Sequence, residues 1–173
     1  MLSTIVNEFK NTIVSTVQGT GDILTSLREA VKTQVVGSVE NVSEIVEAGM
    51  VSAKDIGTTL VVVAKETVST AIIGVSETGG DVMMAVSKAV SGAVKGAADV
   101  GEDVGGVAVL AVGGAIDAAG KLGKDTSEAT KEAVVSAVKA ADEIGTEAGK
   151  SVRNALLSAV SLPKDIVESA IKG

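Results

Sequence analysis

The chain has 173 residues, of which 46% are apolar but only 1% aromatic, and its formal net charge is −7 at pH 7. A sequence this apolar does not have the composition of a disordered protein, and its negative charge argues against nucleic acid as a partner. Histidine and cysteine are both absent, so the chain cannot form a Ser–His–Asp triad or a metal site built on imidazole or thiolate. We therefore expect a non-enzymatic protein without metal, cofactor or small-molecule substrate.

The N-terminal sequence shows no targeting signal. It lacks the basic segment, the continuous apolar core and the cleavage site of a signal peptide. The longest nearly uncharged apolar run, residues 104–116, is shorter than the roughly 20 residues that a membrane-spanning helix requires. The expected location is therefore the cytoplasm or the surface of a membrane.

Three regions follow one another along the chain. Residues 1–50 place apolar residues at a helical spacing without regularly spaced glycines, residues 51–160 contain five repeats of 22 residues, and residues 161–173 begin a further repeat. One glycine recurs at the same place in each full repeat: Gly57, Gly79, Gly101, Gly123 and Gly145. A repeat of this length is typical of proteins that stack one structural unit many times.

The distribution of charges predicts the secondary structure. Twenty-two residues are two groups of eleven, and eleven residues make three turns of a helix with about 3.67 residues per turn. When residues are sorted by their position within eleven, every charge except Glu8 and Arg28 falls on positions 0, 3, 4, 7 and 10, which adjoin on one side of such a helix. The pattern keeps its register along the chain. It predicts an all-α protein made of one long, near-continuous amphipathic helix, or of a few helical stretches joined without a register slip, with the repeat glycines as the expected sites of bending.

The two edges of this polar face differ in size and charge. One edge, which we call the basic edge, is position 10 and carries Lys10, Lys32, Lys54, Lys65, Lys131, Arg153 and Lys164. The opposite edge is acidic at position 4, where its charged residues are Asp81, Asp103, Asp125 and Glu147. Small residues at position 4 and at the neighbouring position 8 form what we call the small packing edge, which includes Gly74, Gly92, Gly96, Gly114, Ala118, Ser136 and Ala140.

These edges are complementary in shape and in charge. Small residues four apart on a helix allow another helix to approach closely, and the basic edge borders bulky apolar residues. We therefore predict that the helix packs laterally with copies of itself. Such a contact joins two different surfaces, so it either closes into a ring or continues as a tube or filament.

The pattern also resembles that of proteins that bind lipid surfaces. Amphipathic repeats of 11 and 22 residues, poor in aromatic residues, are similar to those of apolipoproteins, synucleins and perilipins. The segment ATKEAVVSAVKAADEIG (129–145) is the most synuclein-like part of the chain. This resemblance, which lies in the pattern alone, implies a helix that rests on lipid with its apolar face inward.

Two functions are consistent with the sequence. The first is a structural protein whose amphipathic helices self-assemble into a homopolymeric tube, ring or filament, with the apolar face on lipid or on a second layer of helices. The alternative is a protein that coats lipid droplets, granules or membranes without forming an ordered polymer. The sequence leaves open whether the apolar face contacts lipid or protein.

Overall fold

The computed structural model describes residues 41–55 and 60–173, and the regular secondary structure within these ranges is helical throughout. The helices in these ranges are α1 (Val42–Asp55), α2 (Leu60–Glu77), α3 (Val82–Asp99), α4 (Val104–Lys121), α5 (Thr126–Ile144), α6 (Thr146–Ser158) and α7 (Lys164–Lys172). The prediction of an all-α protein is therefore confirmed for these residues. Most of the first predicted region, residues 1–50, lies outside them, as do Gly57, Lys10 and Lys32.

The repeat glycines lie in turns between helices. Gly79, Gly101 and Gly123 have positive φ angles of 81°, 72° and 67°, a left-handed conformation that glycine adopts without steric cost. At the first of these turns, the N–H of Gly79 donates to the carbonyl of Ser76 at 3.1 Å, and the N–H of the following residue donates to the carbonyl of Val75 at 2.9 Å. This pair of hydrogen bonds is the Schellman motif, which ends a helix and satisfies its last carbonyl groups.

Gly145 separates two helices in a different way. It stands alone between α5 and α6, and its φ of 159° and ψ of 169° are close to fully extended. Its N–H donates to the carbonyl of Ala141 at 3.1 Å, and its own carbonyl accepts from the N–H of Gly149 at 3.0 Å. The residue therefore ends α5 and begins α6 without an intervening turn.

The prediction of one near-continuous helix is wrong for the described residues. Helices α2, α3 and α4 are each 18 residues long, and each is followed by a turn of constant length, at residues 78–81, 100–103 and 122–125. Because these turns have the same length, the charge pattern keeps its register from one helix to the next. A constant helix–turn unit thus produces the same sequence periodicity as an unbroken helix.

An acidic residue begins the helix after each of these turns. Asp81 is the N-cap of α3, and its carboxylate accepts a hydrogen bond of 3.1 Å from the N–H of Met84. Asp125 caps α5 and accepts from the N–H groups of Ser127 and Glu128 at 2.8 and 3.1 Å. These bonds satisfy backbone donors that have no partner inside the helix. The repeated Gly-x-Asp sequence therefore encodes the end of one helix and the start of the next.

The helices pack into two layers. Each helix contacts the next one and the one after that along the chain, and no described helix packs against a more distant one. The odd-numbered helices therefore form one layer and the even-numbered helices the other. Alanine and valine fill most of the space between the layers, and the largest fully buried side chains include Met50, Ile72 and Leu156.

Helix α4 shows what this arrangement does with the apolar face. By length and composition it could cross a membrane, but half of it is buried inside the protein. A central helix of a two-layer array contacts other helices on several sides, so an apolar composition is expected there. Within the described residues, the apolar face predicted from the sequence therefore contacts protein.

Candidate assembly surface

The small packing edge lies against the helix two positions earlier in the chain. Gly92 on α3 faces the backbone carbonyl of Ser43 on α1, and Gly114 on α4 faces the backbone carbonyl of Lys65 on α2. A β-carbon at either glycine would collide with that backbone, so glycine is what permits the helices to approach this closely. Ser43 and Lys65 both occupy position 10 of the eleven-residue pattern. Residues of the small packing edge therefore lie against position-10 residues of the same chain.

The same pairing recurs with other residues. Gly96 lies against Met50, whose Cβ would be 2.8 Å from a β-carbon added to the glycine. Between α3 and α5, the Oγ of Ser136 donates a hydrogen bond of 2.8 Å to the Oγ of Ser87, which also occupies position 10. The other members of the small packing edge are buried as well: Gly74, Ala118 and Ala140.

Two lysines of the basic edge form ion pairs across these interfaces. The Nζ of Lys65 on α2 is 3.0 Å from the carboxylate of Asp117 on α4, and Lys54 on α1 pairs with Glu102 in the turn after α3. The lysine side chains are 45% and 43% exposed, so each pair contributes little to stability. Their effect is to favour one register between helices two apart.

Arg153 joins neighbouring helices instead. Its guanidinium on α6 donates two hydrogen bonds of 2.7 Å to Asp142 on α5. These bonds lower the pKa of the Asp142 carboxyl and raise the pKa of the guanidinium. Gly149 leaves room for the pair, since a β-carbon there would collide with Asp142. The last two residues of the basic edge, Lys131 and Lys164, are exposed.

The acidic residues predicted for the edge at position 4 lie at the starts of helices. Asp81, Asp103 and Asp125 are N-cap residues, although the side chain of Asp103 makes no capping hydrogen bond. Glu147 lies in the first turn of α6, and its carboxylate is 3.7 Å from the Nζ of Lys150. Acidic residues stabilise the start of a helix because the N-terminal N–H groups carry partial positive charge. Their regular spacing therefore reflects helix starts rather than lateral contacts.

A pair of carboxyl groups lies where α1 and α3 meet, and the sequence analysis did not find it. Glu47 forms a side-chain hydrogen bond with Asp99, the last residue of α3. Burial, followed by this hydrogen bond, raises the pKa of Glu47 from 4.5 to about 7, while the nearby Lys95 opposes the rise. The two carboxyl groups are distant in sequence, so only the packing of α1 on α3 brings them together.

One bulky position of the repeat becomes progressively more exposed along the chain. Its members stand 22 residues apart at position 6 of the pattern: Met50, Ile72, Val94, Ile116, Val138 and Val160. The first three are fully buried, the next two are partly buried and the last is fully exposed. The small residue Gly96, two helices later, covers Met50. Val160 lies beyond the last helical residue of α6, in the turn that leads to α7.

Open grooves flank α7 where it lies on α5. One groove of about 610 Å³ is lined by residues that include Asp125, Lys131 and Ile166, and another of about 440 Å³ includes Val138 and Ile171. Across the described ranges, no group of three acidic side chains is arranged to hold a metal ion. The grooves offer mixed apolar and charged contact surface.

No protein-family model matches this chain, and no curated protein or solved structure is similar enough to count as a match. The fold and contacts themselves define a two-layer array of helical repeats. Helices two apart in this array are joined by a contact between two unlike edges, which recurs along the chain.

Proposed function

We propose that this protein is a non-enzymatic structural protein that assembles with copies of itself into a tube, ring or filament. The observation that supports the proposal is the contact between the small packing edge of one helix and the position-10 edge of the helix two earlier. This contact joins unlike surfaces, and it recurs in successive helix pairs: α1–α3, α2–α4 and α3–α5.

A contact between unlike surfaces can be extended indefinitely. Each helix that receives a partner on one edge still presents its other edge to the next helix, so further units can be added in the same way. Copies joined by this contact form a ring when the rotation between units closes and an open polymer when it does not. The edges that hold repeats together within the chain would hold chains together in the assembly.

A lipid coat is the second candidate function. It is favoured by helix α4, which has the length and composition of a membrane-spanning helix, and by an interior made largely of alanine and valine. However, the apolar residues are buried between the two layers, so the layers would have to separate before these residues could contact lipid. Because that separation sacrifices the burial that stabilises the fold, protein is the favoured partner of the apolar face.

The two functions differ in what purified protein does without lipid. A structural protein forms elongated or ring-shaped polymers in buffer, visible by negative-stain electron microscopy, and its circular dichroism spectrum does not change when vesicles are added. A lipid coat protein forms no polymer in buffer, binds to vesicles and changes its spectrum there. Light scattering that shows a folded monomer at every concentration, with and without vesicles, contradicts both functions.

A further inference from the structure

The outer surface of α4 differs from that of the other repeats in polarity. Val109 and Leu110 are partly exposed, as are Gly106 and Gly113, one turn to either side of Leu110. At the repeat positions of Val109 and Leu110, every other full repeat has polar residues: Lys65 and Glu66, Ser87 and Lys88, Lys131 and Glu132, and Arg153 and Asn154. The side of α4 that the other described helices leave uncovered is therefore apolar along its middle.

The ends of α4 differ from those of its neighbours in charge. Lys121, in the last turn of α4, stands at the repeat position where α2, α3 and α5 have an acid: Glu77, Asp99 and Glu143. The start of α4 keeps the acid of the repeat, Asp103, whose side chain makes no capping hydrogen bond. Neither Asp103 nor Lys121 forms an ion pair with another described residue. Helix α4 therefore has opposite charges at its two ends, whereas α3 and α5 have acids at both.

We propose that the outer face of α4 binds the same face of a second copy of this chain, with the two helices antiparallel. This α4 face consists of Asp103, Gly106, Leu110, Gly113 and Lys121. At about 100° per residue, these residues lie within about 80° of one another around the helix, so they form one stripe. The contact joins identical surfaces and closes at two copies, so it is separate from the edge contact of the function proposed above.

One register of the antiparallel pair suits both the apolar residues and the charges. When Leu110 lies over Gly113 of the second copy, two-fold symmetry places Gly113 over the second Leu110, and Lys121 of each copy reaches Asp103 of the other. The surface at Gly113 is open, because a β-carbon there would meet only the end of the Lys65 side chain, 4.0 Å away. Small residues of this kind let two helices approach closely.

The charge pattern favours a second copy over lipid as the occupant of the α4 face. Asp117 also lies on this stripe, is 47% exposed and pairs with Lys65. In the same register it lies beside Gly106 of the second copy, where the absence of a side chain leaves room for that ion pair. On a lipid surface, the carboxylates of Asp103 and Asp117 would approach the apolar region without gaining a partner.

The first test introduces a charge at the centre of the α4 face. One pair of 18-residue helices forms a small interface, so we expect a dimer that dissociates on dilution, as measured by sedimentation velocity. Leu110→Glu should raise the dissociation constant about tenfold or more, because two unpaired carboxylates would be buried. Met84→Glu is the matched control, since Met84 is half-exposed on α3, outside the α4 face. Both substitutions introduce a residue that the repeat has at the same position in α5, Glu132 and Glu128, so both variants should keep the circular dichroism spectrum of the unaltered protein.

The outcomes separate the α4 face from the polymer. Loss of the dimer in Leu110→Glu alone, with Met84→Glu unchanged, supports the α4 face whether or not polymers form at higher concentration. Equal dimers in all three proteins overturn the assignment. An unaltered protein that is monomeric below the concentration at which polymers appear also overturns it, while the polymers still support the structural function. If the protein is monomeric in buffer and Leu110→Glu abolishes its binding to vesicles, lipid covers α4 and the proposed contact is wrong.

A second test examines the antiparallel orientation by exchanging charges. Asp103→Lys and Lys121→Glu each give α4 like charges at both ends, so each variant alone should dimerise about fivefold or more weakly than the unaltered protein, since two attractions become two repulsions. An equal mixture of the two variants should recover the dimer, because the introduced lysine then faces the introduced glutamate and the retained Lys121 faces the retained Asp103. A mixture that dimerises no better than either variant alone would overturn the proposed pairing.

Discussion

Gly113 and Gly114 are neighbours in α4 that should respond to alanine substitution in opposite directions. A β-carbon at Gly113 would meet only the flexible end of Lys65, 4.0 Å away, whereas a β-carbon at Gly114 would collide with the Lys65 backbone carbonyl. Alanine is favoured over glycine inside a helix by about 1 kcal/mol, so Gly113→Ala should stabilise the protein by up to this amount. Gly114→Ala gains the same preference but forces α4 away from α2.

The size of the loss at Gly114 follows from the geometry. Nonbonded atoms reach their optimal van der Waals separation at about 3.5 Å. The added β-carbon would be closer than this to the Lys65 carbonyl oxygen, so α2 and α4 must separate by about 1 Å over their contact. Overpacking of this kind costs about 1–3 kcal/mol and occasionally more. The separation weakens most of the contact between α2 and α4 at once, so we place the cost of overpacking at the upper end of this range. After the gain in helix preference is subtracted, the net loss in the free energy of unfolding is about 2 kcal/mol.

Urea unfolding followed by circular dichroism measures both variants. The expected difference in the free energy of unfolding between Gly113→Ala and Gly114→Ala is about 3 kcal/mol, which separates their urea midpoints by more than about 1 M. If Gly114→Ala is as stable as Gly113→Ala, the close approach of α4 to α2 does not exist in solution, and the pairing of edges is refuted with it.

Three further perturbations test other parts of the structure. Asp125→Ala should lower the free energy of unfolding by about 1 kcal/mol through loss of its two capping hydrogen bonds, and Asp103→Ala should lower it less because Asp103 makes none; equal losses in urea titrations would contradict the assigned caps. Gly101→Ala should cost about 1 kcal/mol or more, because φ is 72° there, and an unchanged melting temperature would show that the turn has a different conformation. Since the pKa of Glu47 is raised to about 7, its stabilising effect is complete below pH 4.5 and is lost as the pH rises through 7. Stability should therefore be on the order of 1 kcal/mol higher at pH 5 than at pH 8, after solvent screening of this half-exposed group, and Glu47→Gln should remove this difference.

The helical content and the repeat could be predicted from the sequence because both depend on local spacing. Sorting charges by position within eleven residues identified the amphipathic face. Gly92, Gly96 and Gly114, which the sorting places on the small packing edge, lie against another helix. What the pattern could not show is whether that helix belongs to the same chain or to another copy. Within the described residues, it belongs to the same chain.

The helix boundaries were mispredicted even though their signals are present. Gly79 followed two residues later by Asp81 is a helix stop followed by a helix start, but the constant phase of the charges favours a continuous helix over helices joined by loops. A turn of fixed length preserves phase, so phase alone cannot separate a bent helix from a helix–turn array. The hydrogen bond between Glu47 and Asp99 lay beyond prediction, because it requires knowledge of which helices are neighbours.

The contact pattern also determines how stability is distributed along the molecule. Each described helix contacts only the next two in either direction, so the described part of the chain behaves as a one-dimensional row of coupled units. A helix near the centre of the row, such as α3, has partners on both sides, while α7 has partners only on one. Amide hydrogens should therefore exchange faster in α7 than in α3.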